Sequence, residues 1–173
     1  MKTALPLFAF AFLLSSCNPK SGTSSTAPSE ESVPQTEEEL ANRMITKVKR
    51  IVDATDERLV TAEPIVDTLP TEAGMASGRI IKLWLENEQA TKLTVTEPDD
   101  RGQMTGLSTF YFAGPDLFYA SQPFAHFIFI GGKLEYWTDE TWQVHPVSKD
   151  ILDAREGYLY DEANKYMSWF FGN

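Results

Sequence analysis

The amino-acid sequence predicts one α+β domain in residues 37–173, with an N-terminal helix, a six-stranded antiparallel β-meander and a C-terminal helix packed on the sheet. Two observations about spacing predict it. Apolar residues recur at helical intervals over residues 37–56 and again after residue 148, whereas the period between residues 79 and 137 is two. A third observation sets the topology, because the connections between the strand-like runs are too short for crossover helices and therefore indicate antiparallel pairing.

The first helix has a sequence signal for its start. Thr36 and Glu39 have the spacing of a capping box, in which each side chain bonds the backbone amide of the other residue. The acidic residues 37–39 also suit the positive end of a helix dipole. The apolar residues that follow at helical spacing are Leu40, Met44, Val48, Ile51 and Val52.

Six short strands follow the first helix. Runs with a period of two place them at residues 79–86, 91–96, 107–112, 117–120, 124–130 and 134–137. Turn-forming residues lie between these runs. Gly131 and Gly132 predict a two-residue hairpin connection between the last two strands.

A second helix is predicted after Ser148, which is a candidate N-cap. Gly157 weakens this helix locally. We expect it to cover one face of the sheet, and the first helix is a candidate to share that role. Its apolar residues form one broad face: Ile151, Leu152, Tyr158, Leu159, Tyr166, Trp169 and Phe170.

Length and charge limit the classes of function. The chain has 173 residues, which suits one domain with accessory segments. Its formal net charge is -10, and an acidic chain repels phosphate backbones, so nucleic-acid binding is not expected. The same charge is unfavourable at an anionic membrane surface. Membrane attachment must therefore come from another source.

The N-terminus supplies such a source. Residues 1–17 read MKTALPLFAFAFLLSSC, with a cationic start, a short apolar core and two serines before Cys17. The core is too short to span a bilayer and has the order of a signal peptide. The stretch Leu14-Ser15-Ser16-Cys17 resembles the lipobox of bacterial lipoproteins. That resemblance implies a signal peptide at residues 1–16, cleavage before Cys17 and lipid attachment to its thiol.

The same resemblance implies a place in the bacterial cell envelope, with the lipid on Cys17 as the membrane anchor. In enterobacterial lipoproteins an aspartate after the cysteine retains the protein at the inner membrane. Asn18 stands at that position here, which favours the outer membrane where the organism has one. Residues 17–36 are rich in Ser, Thr, Pro and Glu and lack aromatics, so we expect the lipidated cysteine to be followed by a disordered tether.

A second resemblance concerns the strands. The phrases are GRIIKLWL at residues 78–85, TFYF at 109–112, LFY at 117–119 and FIGGKLEYW at 129–137. They resemble a group of small uncharacterised bacterial lipoproteins, frequent among Bacteroidota-type sequences, that combine a lipobox, a polar tether and an aromatic-rich meander. The resemblance covers residues 46–138 and implies no known activity.

No catalytic, metal-binding or cofactor-binding residue is predicted, because no established motif is present. His126 alternates with apolar residues along a strand, which favours a histidine satisfied by a neighbour over a ligand or a base. His145 lies in a predicted loop. The acidic pairs Asp99-Asp100 and Asp139-Glu140 fit solvated turns better than acid–base or calcium chemistry.

Aromatic residues are the most suggestive feature of the predicted sheet. Consecutive positions such as Phe110, Tyr111 and Phe112 place them on both faces. If helices cover only one face, the other presents aromatic surface to a ligand, and if both faces are covered, the aromatics form core. The candidate ligand-facing residues are Trp84, Tyr111, Tyr119, His126, Tyr136 and Trp137.

Anchor, tether and aromatic sheet together favour a non-enzymatic binding module whose partner is an envelope protein or a glycan. A second hypothesis is a hydrolase of envelope polymers that uses the turn carboxylates, which would require two acidic residues to converge in an aromatic cleft. A third is an inhibitor or immunity-type protein, which would present a rigid acidic or aromatic ridge.

Overall fold

The computed structural model of the protein describes residues 36–172, and the predicted signal peptide, Cys17 and the tether up to residue 35 lie outside them. The α+β class is confirmed, with helix α1 first, seven strands next and helix α2 last. Their bounds are α1 Glu37–Leu59, β1 Ile65–Thr68, β2 Ile80–Glu86, β3 Gln89–Pro98, β4 Met104–Ala113, β5 Asp116–Gln122, β6 Ala125–Ile130, β7 Lys133–Asp139 and α2 Lys149–Phe171.

The strands form one antiparallel meander in the order β1 to β7, so the predicted number of six strands is wrong by one. The additional strand is β1, which pairs with β2 through Ile65 opposite Leu83 and Thr68 opposite Ile80. All four side chains of β1 are exposed. A strand that buries no side chain carries no alternation of apolar and polar residues, which explains why the period did not indicate it.

The two helices cover opposite faces of the sheet. Leu159, Ala163 and Tyr166 of α2 belong to a core cluster with Phe110 and Phe127. On the other face, Ile45 and Val48 of α1 form a separate cluster with sheet residues. Those sheet residues are Tyr111, Tyr119 and Ile128. Tyr111 and Ile128 directly follow Phe110 and Phe127 in the chain and therefore point to the opposite face. The coverage of both faces therefore makes most sheet aromatics core residues.

Helix α1 starts as the sequence predicts and ends later. Thr36 accepts from the amide of Glu39, and the Glu39 carboxylate accepts from the amide of Thr36, which confirms the capping box. The helix continues to Leu59, past the predicted residue 56, because its last turn has partners on the sheet. One of them is the carboxylate of Glu86, which pairs with Arg58 at 3.2 Å.

The direction of α1 across the sheet brings its first turn to the final strand. Its C-terminal half lies at β2 and β3, where Asp56 pairs with Lys92 at 2.8 Å. Its first residues, Glu37 and Glu38, lie beside Tyr136 of β7. Neither of the two helices between residues 36 and 172 is long and apolar enough to cross a membrane.

Helix α2 follows Ser148, whose backbone is extended as at an N-cap but whose side chain makes no capping hydrogen bond. Beneath this helix lies a buried arginine, Arg79, which directly precedes β2. The Arg79 side chain is only 8% exposed and meets the Glu97 carboxylate at 2.6 Å. Its Nε also donates to the Thr96 carbonyl at 3.0 Å, and its guanidinium lies over the Tyr166 ring. This pair joins the sheet to α2 at the edge of the core.

Candidate functional site

A cleft of about 440 Å³ lies between the first turn of α1, strand β7 and the segment that follows β7. This volume is within the range of roughly 300–1,000 Å³ that is usual for ligand sites. The cleft has an aromatic floor, an acidic rim and an apolar wall. Its lining residues are Glu37, Glu38, Ala41, Asn42, Glu135, Tyr136, Trp137, Trp142, Gln143, Val144, His145, Pro146, Val147 and Leu152.

The floor consists of Tyr136 and Trp137, which are adjacent on β7 and half-buried. The Trp137 ring also lines a shallow pocket on the α2 side, where the Arg155 guanidinium lies 4.7 Å from its centroid. The His145 ring meets it edge-on, at 6.1 Å between centroids. Trp137 therefore lines both the cleft and the shallow pocket on the α2 side.

The rim carries three carboxylates. Glu37 and Glu38 come from α1 and Glu135 from β7, so they stand on two different walls. No ion pair within residues 36–172 involves any of the three, and the lining contains no Lys or Arg. Burial raises the pKa of the Tyr136 hydroxyl, and the negative charges of Glu135 and Glu37 raise it further.

One wall is held by a tight turn. The Asp139 Oδ1 atom accepts from the amides of Thr141 and Gln143, at 2.8 and 2.9 Å, and from the Thr141 hydroxyl at 2.7 Å. These hydrogen bonds favour the ionised carboxyl and lower the pKa of Asp139. The turn places Trp142 at φ 69°, in the left-handed region that non-glycine residues rarely adopt.

The same turn occurs a second time in the chain. Asp99 Oδ1 accepts from the amides of Arg101 and Gln103, at 2.8 and 2.9 Å, as Asp139 does from Thr141 and Gln143. The backbone hydrogen bonds also correspond. In both turns the amide of the aspartate donates to the carbonyl of the glutamine four residues later, and the amide of the fourth residue donates to the carbonyl of the aspartate. Here Gly102 occupies the fourth position, at φ 75°. Trp142 therefore stands where the equivalent turn uses glycine.

Contacts of the indole explain how Trp142 is held there. Its ring stacks on His126 with 3.9 Å between centroids and 11° between planes. The Lys49 ammonium lies 4.9 Å from the same indole. His126 is in turn bonded through Nδ1 to the Tyr119 hydroxyl at 2.8 Å. Burial, reinforced by Lys49, lowers the pKa of His126 and so favours the neutral imidazole beneath Trp142.

Three of the predicted ligand-facing residues belong to this region. Tyr136 and Trp137 line the cleft directly. His126 does not line it but supports Trp142 from behind. His145, which was expected in a solvated loop, is exposed and lies on the cleft wall.

The other three lie under or beyond α1. Tyr111 and Tyr119 are 3% and 4% exposed, so their rings serve the core, and the Tyr111 hydroxyl donates to Asp56 at 2.8 and 2.9 Å. Trp84 is at the far end of the sheet, where its indole donates to the Ala62 carbonyl at 3.3 Å. None of these three takes part in the cleft.

The two acidic pairs do not converge. Asp99 directly follows β3 and Asp139 ends β7, and these strands are four strand spacings apart, or roughly 19 Å at about 4.8 Å per spacing. Each carboxylate is instead occupied by its own turn. The pairs therefore form no common acid–base site. Within residues 36–172 no group of His, Cys, Asp and Glu side chains is arranged to hold a metal ion.

The residue that the sequence reasoning missed is Trp142. A signal for it is present in the chain, since DDRGQ at residues 99–103 and DETWQ at residues 139–143 share Asp at the first position and Gln at the fifth. Aligning the two segments places Trp142 opposite Gly102. The acidic rim was not foreseeable in the same way, because it joins residues almost 100 positions apart.

Comparisons with known proteins identify no relative of this chain. It matches no family model, no curated protein and no solved structure.

Proposed function

We propose that this chain is a lipid-anchored protein of the bacterial cell envelope whose α+β domain is a binding module for an envelope protein or glycan. The lipobox-like residues at 14–17 support the anchor. The cleft beside β7 supports the binding role, and it is the observation that carries the proposal.

The cleft has the features that binding sites combine. It is concave, it offers aromatic area from Tyr136, Trp137 and Trp142, and it places polar acceptors at the rim. Aromatic side chains give large contact area for little loss of conformational entropy. The left-handed backbone of Trp142 adds a separate argument. Such a conformation costs about 1–2 kcal/mol, and residues that keep a strained backbone are concentrated at functional sites.

Partner capture tests the proposal. We would express the tagged protein in its native envelope, crosslink in the cells, and compare the wild type with Cys17→Ser and Tyr136→Ala variants. Tyr158→Ala is the matched control, because Tyr158 is an exposed aromatic on α2 outside the cleft. Circular dichroism of each variant establishes that the fold is retained.

The proposal predicts a specific protein or glycan in the wild type and in Tyr158→Ala, and its loss in Tyr136→Ala. Cys17→Ser should leave the membrane fraction and lose incorporation of a labelled fatty acid. Recovery of the same envelope components from all four proteins would refute the binding role. A Cys17→Ser variant that still carries fatty acid and stays with the membrane would refute the anchor.

A further inference from the structure

We propose that the cleft beside β7 takes a basic polypeptide segment, with arginine or lysine side chains lying over the aromatic floor between the carboxylates. This inference rests on the binding role proposed above and names the chemistry of its ligand.

The charges of the cleft favour a cation. Glu37, Glu38 and Glu135 line the cleft from two walls, and no cation of the described domain pairs with them. Carboxylates grouped in a concave, partly apolar surface focus the local potential and raise the local concentration of ligands of opposite charge. The formal net charge of -10 acts in the same direction at longer range.

The floor is also suited to a cation. Aromatic faces attract ammonium and guanidinium groups, and tryptophan does so best. The domain already uses both cleft tryptophans in this way. Arg155 lies 4.7 Å from the Trp137 centroid on the α2 side, and Lys49 lies 4.9 Å from the Trp142 centroid. A ligand guanidinium would make the same type of contact with the aromatic floor of the cleft.

The distribution of the carboxylates points to several charges on one ligand. Glu135 on β7 and Glu37 and Glu38 on α1 line the same cleft, so a segment with two or more basic side chains can engage both walls at once. Arginine fits this arrangement especially well, because its planar guanidinium stacks on aromatic rings while its five N–H donors reach carboxylates. The carboxylates of the rim can accept hydrogen bonds from these N–H groups of the ligand.

Three probes test the inference in calorimetric titrations of the protein from residue 18 onward. They are a blocked tri-arginine peptide, the matching tri-citrulline peptide, which is neutral and nearly isosteric, and the free polyamine spermidine. We expect saturable binding of tri-arginine, and binding at least about tenfold weaker for tri-citrulline, since several surface ion pairs of modest strength combine to that factor. Tighter binding of spermidine than of tri-arginine would refute a polypeptide ligand.

A charge-matched pair of variants separates the cleft from the overall charge. The variant Glu37→Gln/Glu38→Gln/Glu135→Gln removes the rim, and it should weaken tri-arginine binding about tenfold. The variant Glu57→Gln/Glu63→Gln/Glu72→Gln removes three exposed carboxylates elsewhere and should bind as the wild type does. Equal weakening in both variants would overturn the inference, because bulk attraction would then explain the binding.

The four tryptophans provide an internal readout of position. Tri-arginine should shift the indole N–H signals of Trp137 and Trp142 in NMR spectra, and leave those of Trp84 and Trp169, which bond Ala62 and Asp67, unchanged. If tri-arginine does not bind but an envelope component is still captured and depends on Tyr136, the inference of a basic ligand is wrong and the binding role remains supported. If no envelope component is captured either, both proposals are wrong.

Discussion

Trp142 offers the sharpest test of the local structure, because its backbone and its ring make opposite demands. The left-handed backbone at φ 69° disfavours any side chain, whereas the stack on His126 and the contact with Lys49 favour the indole. Replacing Trp142 by alanine removes the ring and keeps the strain. Replacing it by glycine removes the ring and the strain together. The difference between the two variants therefore isolates the backbone.

The expected magnitude follows from two opposing quantities. A non-glycine residue in the left-handed region costs about 1–2 kcal/mol. Glycine avoids this cost, but it lowers the free energy of unfolding by about 0.4–1 kcal/mol because it gives the unfolded chain more conformations. Trp142→Gly should thus be more stable than Trp142→Ala by about 1 kcal/mol, or about 3 °C in melting temperature for a domain of this size. Trp142→Ala should be less stable than the wild type, since the aromatic stack contributes about 0.5–1.5 kcal/mol, whereas in Trp142→Gly the relief of backbone strain offsets most of that loss.

Urea denaturation of the protein from residue 18 onward measures this difference. The matched control is the same pair of substitutions at Glu140, which lies in the same turn and does not have a positive φ. There alanine should be as stable as glycine or more so. If Trp142→Ala is equal to or more stable than Trp142→Gly, the left-handed assignment at Trp142 is wrong, and the structural argument for its special position fails.

Three further predictions concern groups around the sheet. Burial lowers the pKa of His126 in the folded protein below its ordinary value of 6.5. The stability that the neutral imidazole provides is therefore complete above pH 6.5 and is lost as the pH falls from 6.5 through the lowered pKa. Between pH 7.5 and pH 5 the melting temperature should consequently fall less steeply for His126→Phe than for the wild type. Arg79→Met leaves Glu97 without its buried partner and should cost about 3 kcal/mol in urea denaturation, whereas a loss below about 1 kcal/mol would contradict the pairing. Tyr111→Phe removes a donor to the Asp56 carboxylate and should cost about 1–2 kcal/mol in the same assay, and an unchanged midpoint would show that the bond is not formed in solution.

The elements with strong periodicity were predictable from the sequence. The capping box located the start of α1 because it depends only on residues three apart. Gly131 and Gly132 located the last hairpin because both adopt positive φ, at 58° and 78°. Six of the seven strands carried the period of two that marks a strand. Each of these signals depends only on residues close together in the sequence, and the structure contains the elements that they predict.

The features that escaped prediction depend on residues distant in sequence. Whether Tyr111 and Tyr119 face a ligand or a helix is decided by the path of α1, which no local pattern encodes. The cleft forms because that path brings Glu37 beside Tyr136. Strand β1 escaped because it buries nothing and is recognised only by its pairing with β2.

Photocrosslinking from the cleft in the native envelope is the most direct test of the proposed binding role. A photoreactive amino acid at Gln143, an exposed residue of the cleft wall, is compared with the same group at Glu72, an exposed residue outside the cleft. We predict a discrete crosslinked species from position 143 that is missing from position 72 and is lost when Tyr136→Ala is added. The same products from both positions, or none from either, would contradict a binding role for the cleft.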